Sequence, residues 1–90
     1  MQFYTWNEAK NELLQQERGI SFEDIVEAIA NENLLDSIKH SNSEQYPNQS
    51  VFVVTVKGYV YCVPYVVEES SIFLKTIFPS RKMKKKYLGD

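Results

Sequence analysis

This sequence predicts an α+β domain: two N-terminal helices packed on a four-stranded antiparallel meander sheet, with a short basic C-terminal helix. Three observations predict it. Apolar residues recur at helical spacing up to Ala30; from Asn33 onward the chain becomes β-branched and aromatic, with short turns between runs; and the closing stretch PSRKMKKKYLGD returns to a charged pattern opened by Pro79-Ser80. Helices grouped first and strands grouped after them give segregated layers, not an alternating parallel sheet.

Each element has a local reason. Asn7 caps a helix from about Glu8 to Glu17, with Trp6, Ala9, Leu13 and Leu14 as a narrow apolar stripe, and Gly19 just past Arg18 stops it. Ser21 caps a second helix, with Asp24 three residues on as a capping-box variant. Phe22, Ile25, Val26, Ile29 and Ala30 then follow the i, i+3, i+4, i+7, i+8 template without a miss. Leu34 to His40 reads as the first strand, and SNSEQYPNQS (41–50) as a polar loop. Val51 to Val56 is apolar on both faces, as a central strand is, and Lys57-Gly58 supplies a tight hairpin turn. Tyr59 to Val67 follows, with Pro64 marking a bulge or unpaired edge because it has no N–H for the ladder. Glu68-Glu69 forms a hairpin tip, Ser71 to Phe78 a last strand, and Pro79-Ser80 opens a basic helix running to about Tyr87.

Composition bounds the function. The 90 residues read as one domain (1–90), long enough to bury about 60–65 % of the unfolded surface without staples. With 43 % hydrophobic and 24 % charged residues, wholesale disorder is excluded. One cysteine, Cys62, excludes a disulfide framework and a cysteine-rich metal site; it is expected to pack on the helix side as a small apolar residue. One histidine, His40, excludes a histidine pair or a multi-histidine metal site, and its place at a strand end predicts exposure. No P-loop, GxGxxG turn or HExxH helix is present, so no cofactor and no metal are expected. MQFYTWNEAK has no basic n-region or apolar h-region, and the longest mostly apolar stretch is broken by Lys57, Gly58 and Pro64. The expectation is a cytoplasmic protein with no membrane partner.

The net charge of −2 hides a segregated distribution. Residues 1–74 hold four basic side chains against eleven acidic ones, a local net of −7, whereas residues 75–90 hold six basic ones against Asp90 alone, a net of +5. Arg81, Lys82, Lys84, Lys85 and Lys86, beside Tyr87, form a phosphate-binding composition; the same run also fits a solvated tail or a surface that docks an acidic protein. Lys75, inside an otherwise apolar strand, must snorkel, pair or face an open groove. Tyr59, Tyr61 and Tyr65 recur at period two on one strand face, either as a stacking surface for bases or as half-buried cross-strand pairs. The second helix carries Glu23, Asp24 and Glu27, with Glu32 just beyond, the wrong sign for a DNA recognition helix.

Taken together, these segments resemble the BrnT family of bacterial type II toxins, related to the RelE/ParE fold. The N-terminal motif is matched by Tyr4, Trp6, Asn7, Lys10 and Asn11, and then by Arg18, Gly19, Ile20, Ser21, Phe22 and Glu23, with Arg18 where the family carries His. The C-terminal motif is matched by Ser80, Arg81, Lys82 and Tyr87, so the likeness covers essentially the whole chain. The resemblance implies a toxin acting as a metal-independent endoribonuclease on mRNA. It also implies neutralisation by a cognate antitoxin of ribbon-helix-helix type, through which alone the toxin meets DNA. Such cleavage uses the 2′-hydroxyl as nucleophile and asks the protein for a base, an acid and cations around the phosphorane. On this reading Arg81, Lys82, Lys75 and Arg18 are the catalytic phosphate clamps, and Tyr87 and Tyr61 serve in stacking or weak acid duty. Lys84, Lys85, Lys86, Tyr59 and Tyr61 would hold RNA. The rival expectation is a non-enzymatic module whose basic groove docks an acidic partner.

Overall fold

A computed structural model describes residues 3–39 and 49–89. The elements run β1 (Phe3–Thr5), α1 (Glu8–Arg18), α2 (Phe22–Ala30), β2 (Leu34–Lys39), β3 (Gln49–Val56), β4 (Tyr59–Val67), β5 (Ser71–Leu74), β6 (Phe78–Pro79) and α3 (Arg81–Leu88). The α+β class and all three helices agree with the expectation. The sheet does not: it has six strands and is mixed. Its path is β1-β5-β4-β3-β2, with β6 pairing the other end of β4. The extra strand β1 lies parallel to β5 at the edge, with Phe3 opposite Ser71 and Thr5 opposite Phe73. Three residues beside a helix cap carry too short an alternation to announce a strand. His40 and most of the predicted 41–50 loop lie outside the described residues.

Pro64 explains why the expected last strand is split. Register is continuous from Val67↔Ile72 to Tyr65↔Leu74, and the Lys75 N–H still donates to the Pro64 carbonyl at 2.8 Å. The return bond to Lys75 would need the N–H that proline lacks. The ladder stops there, one residue is gained, and β6 resumes with Phe78 opposite Cys62 and the Ser80 N–H on the Val60 carbonyl at 3.0 Å. Toward β3 the register is unbroken through Val51↔Pro64, because the proline's missing donor faces the other way. The hairpin from β3 to β4 turns on Lys57 and Gly58, both at positive φ (53° and 78°), as a type I′ turn requires.

The helical layer is built from its caps. Asn7 accepts from the Lys10 N–H, Ser21 and Asp24 close a full capping box, and Gly19 at φ 66° ends α1 in the left-handed conformation. Asn11, fully buried, joins the two helices: its Oδ1 accepts from the Phe22 N–H at 2.7 Å, and its Nδ2 donates to Glu23 at 2.7 Å and to Glu8 at 3.1 Å. Leu14, Ile20, Phe22 and Ile25 pack on Phe52, Val54, Val63, Tyr65, Ile72, Leu74 and Ile77, with Trp6 stacked on Phe22. A second, smaller core lies on the opposite face: Val53, Val60 and Cys62, covered by Met83 and Tyr87 of α3. Cys62 is therefore buried under the basic helix and not on the two-helix side, a correction that follows from its parity with Val60 along β4. No described helix is long and apolar enough to cross a membrane.

Candidate functional site

The site is built around α3. Ser80 sets it by three bonds: its backbone N–H pairs with β4, its hydroxyl accepts from the Met83 N–H at 3.2 Å, and it hydrogen-bonds the Cys62 thiol. Burial pushes the Cys62 thiol above its ordinary pKa, with the Ser80 bond opposing. Cys62 is thus an inert packing residue. At its far end α3 is fixed by Tyr87, whose hydroxyl donates to Asp36 at 2.6 Å. A bulge between Leu34 and Asp36 makes this contact possible, since two residues of β2 there oppose one of β3. Leu35 joins the small core while Asp36 reaches α3.

With Met83 and Tyr87 turned to the sheet, Arg81, Lys82, Lys85 and Lys86 are left exposed. Lys85 and Lys86 sit in the last turn, where the helix dipole favours cations; Arg81 and Lys82 open the helix with no acidic residue in the first turn. The N-terminal end of α3 therefore holds a concentrated positive potential. Lys84 turns to one flank, its ammonium 5.5 Å from the Tyr59 ring centroid. Lys82 and Lys86, one turn apart, lie on the other flank.

The nominated residues divide into those the fold gathers and those it occupies elsewhere. Lys75 lies level with Pro64, exposed, on the same sheet face as α3. Arg18 reaches the sheet edge from the two-helix side and donates to the Ile77 carbonyl, beside the break. Its guanidinium holds α1 to the strand end. Tyr59 remains at the hairpin end, tilted 5.7 Å from Tyr61. Tyr61 packs toward the two-helix core, and Tyr65 is buried there, stacked 3.8 Å from Phe52 and bonded to Ser37 at 2.7 Å. Within the period-two set, Tyr65 thus follows the cross-strand alternative, and Tyr61 packs against the same core.

Tyr87 and Asp36 perturb each other. The Tyr87 hydroxyl, ahead of the Ser37 backbone N–H and the Lys86 charge, holds Asp36 below the usual carboxylate range; the same bond raises Tyr87 above an ordinary phenol. Neither is tuned toward neutrality as a proton-transfer group. Nothing in LLDSIK marks Asp36 as a site residue; only the bulge turns it toward α3.

Sequence reasoning also missed three phenylalanines. Phe73, Phe78 and Phe3 lie on the α3 face by register, since Phe78 faces Cys62, Phe73 faces Val66, and Phe3 flanks Ser71. Phe78 is 40 % exposed and Phe3 63 %. Phe78 joins that face only through the break at Pro64, which no local pattern reveals. Among the described residues no group of three or more His, Cys, Asp or Glu side chains is arranged to hold a metal ion. No protein-family model matches the chain, and no curated protein matches it.

Proposed function

We propose that the protein is the toxin of a type II toxin–antitoxin pair and acts on RNA as a metal-independent endoribonuclease, held in check by a small DNA-binding antitoxin. The observation that carries this reading is the exposed row Arg81, Lys82, Lys85 and Lys86 on a helix fixed at both ends, with Lys75 on the same face. Fixed cations on one side of an otherwise acidic body attract a polyanion and hold it in one orientation. Arg81 is the residue for bidentate phosphate contact, and the resemblance of Ser80, Arg81, Lys82 and Tyr87 to the toxin motif supports the same assignment. One observation favours the alternative, a non-enzymatic module that docks an acidic partner. Tyr87 is engaged by Asp36 and Arg18 by the Ile77 carbonyl, so both are committed to structural bonds.

Induction of the protein alone is expected to arrest growth with loss of RNA integrity, and Arg81→Ala to relieve the arrest while the domain stays folded. Purified protein is expected to bind RNA with log affinity falling about 0.7 per phosphate contact per log unit of salt. A folded Arg81→Ala protein that remains fully toxic removes this residue from the site. A flat salt dependence, or no binding at low salt, moves the assignment to the docking module.

A further inference from the structure

Among the described residues, the small core under α3 does not extend across the sheet. The helix covers Val53, Val60 and Cys62 and ends on β2, while Pro64, Val66 and Phe73 on the same face are only half-buried. Along one edge of this uncovered half runs the series Phe73, Lys75, Phe78, with Phe3 beyond Phe73 on β1. Phe73 and Lys75 are two residues apart on an extended strand, about 7 Å, and Phe78 follows across the break. Lys82 and Lys86 line the flank of α3 opposite to Lys84.

We infer that this half-face is a base-stacking platform for single-stranded RNA, with Phe78, Phe73 and Phe3 under the bases and Lys75, Lys82 and Lys86 on the phosphates. The inference rests on the RNA-directed reading above and names which form of RNA the site takes. Two physical points select this occupant. Cores of protein–protein interfaces are depleted of lysine, yet here an exposed lysine stands between two phenyl rings. A single strand needs that interleaving, because each nucleotide brings both a π-face and a charge. A duplex would gain only from the cations, since its bases are stacked on one another and its grooves do not present their faces. Phenyl rings have no hydroxyl to read base edges, so the platform is expected to tolerate sequence.

The test compares binding of a fluorescently labelled single-stranded RNA oligonucleotide with that of its duplex, at low salt. The proteins are wild type, Phe78→Ala and Phe78→Trp, with thermal melts to verify folding; Phe78 is exposed enough for truncation to leave the core intact. Wild type is expected to prefer the single strand. Phe78→Ala should weaken single-strand binding by roughly tenfold and leave duplex binding unchanged. Phe78→Trp should restore it, with tryptophan emission quenched by the single strand beyond any quenching in wild type. Equal affinity of wild type for single strand and duplex, or a folded Phe78→Ala protein with unchanged single-strand affinity, overturns the platform while leaving RNA binding in place. No RNA binding in any form overturns both this inference and the function on which it rests. The same holds if an acidic peptide binds the face and RNA does not.

Discussion

Tyr87 and Asp36 show how one side-chain contact decides what a residue is free to do. The phenol was an attractive acid on the basic helix, but its proton is already committed to a carboxylate that holds α3 on β2. The linkage has a definite sign. Asp36 has a lowered folded pKa, so its contribution is complete above the ordinary carboxylate value of about 4 and is lost as pH falls through the lower folded value. Tyr87 has a raised folded pKa, so its contribution is complete below about 10 and is lost as pH rises through the folded value. Following the Asp36 carboxyl by NMR, its midpoint is expected below that of an ordinary aspartate, and Tyr87→Phe is expected to move it back up. An Asp36 midpoint that ignores Tyr87→Phe would mean that the contact is not formed in solution. The sequence displayed the cations of the site because charge is visible in any arrangement. It did not display Asp36 or Phe78, because each acquires its position from a bulge or a break in register. Asn11 shows the converse: prominent within the motif resemblance, it is a buried joint between α1 and α2.

At the scale of elements, α3 depends on its caps more than on its own composition. Eight residues with five cations make a weak helix in isolation. It is held by the Ser80 cap, the left-handed Gly89 stop and the two side chains Met83 and Tyr87. Ser80→Ala removes the bond to the Met83 N–H and the contact with the Cys62 thiol together. A loss of about 1 kcal/mol is expected. Faster amide exchange at Met83 and faster thiol labelling of Cys62 should accompany it. Unchanged exchange at Met83 would show that packing alone holds the helix. The caps, both long helices and the central hairpin were legible because each rests on a local rule: Asn7, Ser21, Asp24, Gly19 and Lys57-Gly58 fix their own turns. The parallel strand β1 and the division into β5 and β6 were not, since both are set by partners distant in sequence. Pro64 marked the position of the disturbance, though not that it would divide the neighbouring strand.

Over the whole molecule, charge and sheet order point to one division. The acidic helices cover one face of the sheet, and α3 carries its cations across the other. An anion approaching from any side is therefore directed to one surface. The position of β1 adds a consequence in time. Its pairing of Phe3 with Ser71 joins segments far apart in sequence, so the loop it closes is the longest of any strand pairing among the described residues. Local pieces such as the α1–α2 joint and the β3–β4 hairpin can form early, whereas β1 has nothing to pair with until β5 is laid on β4. It is therefore a late addition to the folding nucleus. Thr5→Gly in this strand is expected to speed unfolding while leaving the refolding rate nearly unchanged, as stopped-flow chevrons would record. A slowed refolding limb would instead place β1 inside the nucleus. A chain that completes its sheet last at β5 and β1 must therefore carry its first strand unpaired until β5 has been made, so its earliest-synthesised residues are among the last to be fixed.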